Sequence, residues 1–507
     1  MSAEARAIRS VCVAGAGIVG LSAAVAFARA LPDVAISIVE TPADPAALAD
    51  LMPGSLPAIH LFHAAIGLDE LELVRTGVAT HLLATRFDNW SADGQSWFHF
   101  FGEAGLPSAD VPFHQIWERV RRWRDAAPYH DYAAAAVLAA AGRFVHPSED
   151  LASPLASFLY ALRLDPDRYR ARLDQAAAGL PRMAAGIANV ERAGDGGIAG
   201  LVLTDGRRLE ADLFLDCTGP SARLLSVLDQ GFEAWGDWLP CDRFLPSEEG
   251  PREPTPCDLV TGEANGWSWR SPLPDRTLGG RLWSSAFEDG GEGGIKLAPG
   301  RRTPWVRNVL ALGDAAVALD PLHFANLHLA QSGILRALEL LPGRDFNPVE
   351  LAEYNRRTAQ ETARVRDFLA LHYLRSGRAD TPFWAAMARR TPPDSLGRTL
   401  EQFGRRARLP FFEEESFDRH SWAAALAGLG VVPEDGDALA AGIDLDRAAA
   451  AMTQLAARLR ALPDRLPPYG ALLARMKAAP PTPGRRNAAI GPGGEDPASS
   501  RLRRGWP

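Results

Sequence analysis

Hydrophobic positions along the chain fall into short runs set off by glycine and proline, and the first runs are the most informative. Val11 to Val13 is a continuous apolar run, too short for a helix. It leads into Gly15-Ala16-Gly17-Ile18-Val19-Gly20 and an Ala-rich stretch reaching Ala30, and a second run, Ala35-Ile-Ser-Ile-Val, ends at Glu40. The pattern predicts strand, glycine loop, helix from about Gly20 to Ala30, and strand, a βαβ unit of a parallel sheet. Farther on, Ala199-Gly-Leu-Val-Leu-Thr and Arg207 to Asp216 flank Asp205-Gly206, which predicts a hairpin with a tight reversal. Asn308-Val-Leu-Ala-Leu reads as another strand running into Gly313-Asp314. Apolar spacings of three and four predict helices over Leu327–Leu341, Pro348 to about Arg378, and about Leu445–Leu462. From about Ala478 to Pro507 the chain is rich in Pro, Gly and Arg and reads as a disordered, mildly basic tail.

The sheet-forming runs are scattered, so the fold class predicted is α/β, with a Rossmann-type, three-layer module assembled from separated segments and an interleaved, largely helical module. The boundaries expected are one unit over about 1–477, its cofactor module drawn from about 8–60, 190–225 and 300–345. The substrate module is drawn from about 61–189, 226–299 and 346–477, with a tail over 478–507. A chain of 507 residues, 47% of them hydrophobic, is large enough for such a core. Its net charge of −8 argues against nucleic acid or an anionic membrane as partner, and no apolar run approaches the roughly 18 residues of a membrane span. The four cysteines, Cys12, Cys217, Cys241 and Cys257, form no CxxC pair. That leads to an expectation of no metal, no disulfide and a cytoplasmic setting.

In the strand–loop–helix frame each loop glycine has a distinct task. Gly15 allows the tight turn, Gly17 lets backbone amides approach a pyrophosphate, and Gly20 permits helix and strand to pack closely. Ala16, Ile18 and Val19 complete the loop, and the helix N-terminus presents partial positive charge. Glu40 ends the second strand where an acid can bind ribose hydroxyls. The alternative is a glycine-rich core turn. Two further stretches point to FAD rather than NAD. Asn308-Val-Leu-Ala-Leu-Gly313-Asp314 resembles the second flavin fingerprint of FAD monooxygenases, and Asp216-Cys-Thr-Gly219 resembles the middle motif of that group, its alternative being a strand end with a helix cap.

Gly266-Trp267-Ser-Trp269-Arg-Ser-Pro272 resembles the Trp-x-Trp-x-Ile-Pro signature of flavin-dependent tryptophan halogenases, with Ser271 in place of Ile. Phe62-His-Ala-Ala-Ile-Gly, Pro112-Phe-His-Gln-Ile-Trp117, His328-Leu-Ala-Gln-Ser-Gly333 and Asp380-Thr-Pro-Phe-Trp384 are similar to the same family, and the resemblance runs from about Val11 to Met476. It implies FAD as cofactor, a separate reductase supplying FADH2, and a small aromatic substrate. It further implies that Trp267, Trp269 and Pro272 wall the flavin off from that substrate. Two aromatic residues two apart in a strand face the same side, which a plain aromatic core would also explain. In this family, reduced FAD and O2 oxidise halide to hypohalous acid, which reaches a lysine beside the substrate while a glutamate assists aromatic substitution.

This chain departs from that pattern where the chemistry lies. In the run His81-Leu82-Leu-Ala-Thr-Arg-Phe87-Asp-Asn-Trp90, the trailing Phe and Trp fix the register and Leu82 stands at the lysine position. His81 is next door but faces the opposite way in a strand. The family's Glu-Pro-Leu-Glu-Ser-Thr reads here as Asp320-Pro-Leu-His323-Phe324-Ala325, so that His323 replaces the glutamate, and its Gly-Glu-Ser-Thr loop reads as Met52-Pro-Gly-Ser-Leu-Pro57. Three readings follow. The first is an FAD-dependent oxidoreductase that works on an aromatic substrate without the lysine route. The second is a divergent active halogenase, and the third a non-catalytic flavin-binding partner of an active paralogue. Oligomeric state stays open between a homodimer and pairing with a paralogue.

Overall fold

The computed structural model describes residues 7–108, 111–150, 153–229, 231–288 and 293–478. The tail read as disordered lies, beyond Ala478, outside the described residues. The organising sheet has six strands in the order Trp305–Val306, Val309–Ala311, Leu213–Asp216, Ser10–Ala14, Ala35–Val39 and Arg182–Met183. All its pairings are parallel except the first. The helices Ile18–Ala30 and Ala325–Glu339 pack together against it. The protein is thus α/β with a Rossmann-type module, drawn from segments hundreds of residues apart.

The strand at 213–216 corrects the predicted hairpin. The Asp205-Gly206 turn forms, with Gly206 at φ +85°, but only Arg208–Leu209 pairs back on Ile198–Leu203. Asp212 then redirects the chain: its carboxylate accepts the Arg9 and Ser10 N–H groups at 2.8 and 3.2 Å, and its own N–H donates to Ser10 Oγ at 3.0 Å. Leu213, Phe214 and Leu215 are fully buried, as a central parallel strand covered on both faces requires, and enter the sheet beside Ser10–Ala14. The helix predicted from Leu327 begins at Ala325, and the long one spans Pro348–Leu374 from an Asn347 cap that accepts the Val349 N–H at 3.0 Å.

A second, seven-stranded sheet is built from Ala84–Asp88, Trp97–Phe100 and five strands between Arg243 and Lys296. Its central strand Gly266–Pro272 lies between Cys257–Gly262 and Thr277–Trp283. The long helix Pro348–Leu374 contributes Val365, Phe368 to Leu371 and Tyr373 to a core shared with Trp90, Trp235 and Trp267, all buried. A buried ion pair helps to lock the two-stranded pair Ala79–Leu82 and Ala161–Leu164 onto this sheet. Arg163 and Asp258 are both completely buried, with guanidinium nitrogens 2.7 and 2.8 Å from Oδ1. Arg163 Nη1 donates to the Thr255 and Pro272 carbonyls at 3.0 and 2.9 Å. A buried pair of this kind contributes little over an apolar substitute, but losing one partner strands the other charge. Arg163→Met should therefore destabilise the protein by about 3–5 kcal/mol, read from denaturant midpoints. Arg163→Met with Asp258→Leu should recover much of the loss; equal destabilisation in the single and double variants would show that the pair does not hold this junction.

Candidate functional site

The glycine loop is shaped by contacts that leave no room for side chains. Gly15 adopts φ +112° and donates its N–H to the Val39 carbonyl at 2.9 Å. A Cβ there would lie 2.4 Å from the Cys217 carbonyl oxygen, and one on Gly20 would lie 2.1 Å from the Gly15 oxygen. Helix Ile18–Ala30 has no side-chain cap from its own N-terminal residue Gly17. Asp50, from the turn Leu48–Asp50, instead accepts the Val19 N–H at 2.9 Å, and its carboxylate fills the space over Gly17, 1.9 Å from where a Cβ would stand. Burial pushes the Asp50 carboxyl up to about 6, against the lowering influence of the Val19 N–H and of Arg170, whose Nε donates to the Ala16 carbonyl at 3.1 Å.

Asp314 stands beside it. Gly313 takes φ +59° against Val19, and Asp314 Oδ2 accepts the Ala49 N–H at 2.8 Å while Oδ1 is buried without a hydrogen-bond partner. Burial raises Asp314 to about 7; the Ala49 N–H opposes that rise and the charge of Asp50 adds to it. The structure thus brings Ala16, Gly17, Ile18, Val19 and Asp314 together under segment 44–52. Gly219, at φ +74°, backs onto Asp44 and Ala47 of the same segment. Asp216 is spent locally: its carboxylate accepts from Thr218 N and Oγ1 and from the Leu224 and Leu225 N–H groups, all within 3.1 Å. Glu40 lies at the rim, 3.3 Å from Arg182 Nη1.

Leu82 and His323 both border a second, aromatic region that contains Phe87. Leu82 is buried in a cluster with Phe87, Trp267, Trp269 and Phe324. Alternation along Ala79–Leu82 turns His81 to the other face, where Nδ1 lies 3.0 Å from the Tyr469 hydroxyl. Trp267 Nε1 donates to the Tyr373 hydroxyl at 2.7 Å, and Tyr373 in turn donates to Asp320, whose carboxyl burial raises to about 6. Trp269 meets Phe324 edge-on at 5.3 Å. The Pro272 carbonyl receives Arg163.

His323 and Phe324 occupy left-handed backbone, φ 61° and 53°, a strain of order 1 kcal/mol or more per residue that concentrates at functional sites. His323 Nε2 is 2.9 Å from His372 Nε2, and His372 Nδ1 is 2.8 Å from the Phe368 carbonyl. That carbonyl requires Nδ1–H on His372, so in neutral rings His372 Nε2 accepts and His323 Nε2–H donates. A third imidazole, His99, lies 4.5 Å from His323 between centroids, with both ring nitrogens buried and without hydrogen-bond partners. Phe87, Phe368 and Phe417 close around the trio. Burial holds His99 at about 3, His372 at about 4 and His323 well below the ordinary imidazole range. The sequence reading missed His99 altogether and gave His372 no role. Neither carries local spacing; only the packing of Trp97–Phe100 and Pro348–Leu374 joins them to His323.

A family profile described as tryptophan halogenase matches residues 10–444. BrvH, a flavin-dependent halogenase from Brevundimonas sp. BAL3, superposes with a TM-score of 0.86 at 33% identity over 92% of this chain and 99% of its own. A flavin-dependent halogenase from Xanthomonas campestris gives 0.84 at 31% identity, covering 94% of this chain and 100% of its own. Tryptophan 7-halogenase KtzQ from Kutzneria sp. (strain 744) is 28% identical over 499 residues, 84% of this chain and 90% of its own.

The neutral histidines set a pH dependence with a definite sign. The unfolded chain takes up protons near the ordinary value of ~6.5, whereas the folded rings resist them until about 3 or 4. Their contribution to stability is complete above ~6.5 and is lost as pH falls toward the folded values. His99→Phe should therefore flatten the decline in Tm between pH 6.5 and 4 relative to the parent; parallel Tm–pH curves would show that His99 is not held neutral.

Proposed function

The chain belongs to the tryptophan halogenase family, whose flavin-dependent members use FAD and a separate flavin reductase, and we propose that it acts as an FAD-dependent oxidoreductase on a small aromatic substrate by a route that needs no active-site lysine. The residues that support this reading are Leu82 and neutral His323, both in contact with the cluster around Phe87, which offer neither an amine to hold an oxidant nor a carboxylate to stabilise a cationic ring. Electrostatic stabilisation of that kind commonly changes rates by roughly a hundred-fold or more.

The FAD-facing assignment rests on the cradle. Gly17 presents no side chain over the first-turn amides of helix Ile18–Ala30, where the Asp50 carboxylate now sits as a pyrophosphate would, and Asp314 keeps one buried carboxyl oxygen without a partner, suited to a ribityl hydroxyl. Gly219, Gly313 and Glu40 border the same groove. Asp50 and a pyrophosphate cannot share the Val19 amide, so segment 44–52 must shift when FAD enters. Reduced FAD, when bound, would supply the electrons that activate O2, the oxidant of the reaction. The chain's own part is to separate and orient. Trp267, fixed by Tyr373, and Trp269, fixed by Phe324, divide flavin from substrate. His323, whose Nε2–H is committed to His372, keeps Nδ1 as its remaining hydrogen-bond acceptor. The divergent-halogenase reading is favoured by the 33% identity with BrvH over nearly the whole chain.

Two experiments follow. FAD affinity should fall sharply in Gly17→Leu, which fills the amide cradle, and rise in Asp50→Ala, which removes the competing carboxylate. Unchanged affinity in both variants would refute the placement. The parent protein, given FADH2, O2 and chloride or bromide with a panel of indoles and phenols, should give oxygenated product. No single halotryptophan isomer should exceed the background from leaked hypohalous acid. One regioisomer formed over many turnovers in the presence of catalase would establish the halogenase reading instead, and the absence of any product would favour a non-catalytic flavin-binding partner.

A further inference from the structure

Behind Leu82, on the opposite face of the same strand, lies a cluster that the flavin chemistry does not use. We propose that Glu70, His81 and His146 bind a divalent transition-metal ion of the zinc type, with Glu70 Oε1 and the Nε2 atoms of the two histidines as ligands. These atoms all lie within 4.8 Å of one another, with Oε1 3.2 Å from His81 Nε2 and 3.3 Å from His146 Nε2. Charge-assisted hydrogen bonds between imidazole and carboxylate close to roughly 2.7–2.9 Å. The His146 contact at 3.3 Å is a long hydrogen bond and the His81 contact at 3.2 Å is none, and both separations match the edges of a tetrahedron whose metal–ligand bonds are about 2.0–2.1 Å.

An independent observation is the state of His81. Its ring is completely buried and stacks on Phe144 at 3.9 Å and 18°. Nδ1 is engaged by the Tyr469 hydroxyl at 3.0 Å, but Nε2, aimed at the carboxylate, makes no hydrogen bond of acceptable geometry and is closed off from water. An enclosed polar atom left unsatisfied costs about 1–3 kcal/mol. A cation between Nε2 and Oε1 satisfies both, with Tyr469 orienting the ring from its far side as metal-ligating histidines require. The second carboxylate oxygen is held in the same manner. Oε2 accepts from the Tyr160 hydroxyl at 2.9 Å and lies 3.2 Å from His60 Nδ1, while His60 Nε2 reaches the Tyr160 carbonyl at 3.1 Å. The Tyr160 hydroxyl lies 3.1 Å from Oε1 as well, so Tyr160 and His60 hold the carboxylate from behind while Oε1 faces the two histidines. His146 is half exposed, so the fourth position opens to solvent.

The site ties together helix Glu70–Arg75, strand Ala79–Leu82 and the segment after helix Ala134–Ala140, and so fixes from outside the strand that carries Leu82 into the aromatic pocket. Its ligands come from separate segments and include no cysteine, which is why the cysteine spacing led to the opposite expectation.

The full-length protein, incubated with Zn2+ and dialysed, should retain about one equivalent per chain by elemental analysis, and Zn2+ should raise its Tm. With Co2+ it should develop the visible absorption of a tetrahedral site. His146→Asn, at an exposed position, should keep the parent's circular dichroism and FAD content yet bind Zn2+ at least roughly ten-fold more weakly and lose the Tm response. Glu70→Gln should behave alike, and if it fails to fold, His146→Asn decides alone. Retention below about a tenth of an equivalent by the parent, or undiminished binding by His146→Asn, would overturn the assignment.

Discussion

Backbone meets backbone at the first turn of the chain, and much of the molecule is arranged to permit it. Gly20 touches the Gly15 carbonyl and Gly15 touches that of Cys217 at distances no Cβ could tolerate. This contact brings the first helix down onto the first strand and draws Leu213–Asp216 alongside, which in turn pairs with Val309–Ala311. The carboxyl ends of three strands therefore converge where the helix N-terminus opens, the place where open parallel sheets bind their ligands. Segment 44–52 crosses this opening, and its Asp50 occupies the amides that would meet an anion. The buried carboxyls of Asp50 and Asp314, both raised by burial, make the arrangement poised rather than relaxed.

The second region depends on an exchange of electrostatics for packing. His323 is an imidazole hydrogen-bonded to another imidazole, His372, and enclosed by aromatic rings. Burying a lone carboxylate there would cost several kcal/mol; a neutral histidine avoids that cost and keeps a proton-accepting nitrogen. The left-handed backbone at His323 and Phe324 lets the former turn toward His372 while the latter closes on Trp269, two contacts that a regular helical turn could not make together. Leu82 completes the wall with an apolar surface. The acid that remains, Asp320, is not exposed to this space but bonded to Tyr373, which in turn receives Trp267.

By itself the sequence determined what local chemistry can specify. The run Val11–Val13, the glycine spacing and the alternation through Ile38 are short-range patterns, so the βαβ start and its loop were legible. So were the long helices, since their apolar periods repeat within a few residues. Tertiary structure decided the rest. Arg207–Asp216 reads as one hairpin arm, yet Asp212 breaks it, because the burial of Leu213–Leu215 on both faces stabilises a central parallel strand more than continued pairing with Ile198–Leu203 could. Asp50, His99 and the cluster around Glu70 had no signal in sequence: each takes its character from groups brought close by folding, Val19, His323 and His81 respectively. Burial and proximity, which set the charge state of every one of these groups, are properties of the packed chain and are written nowhere in a spacing.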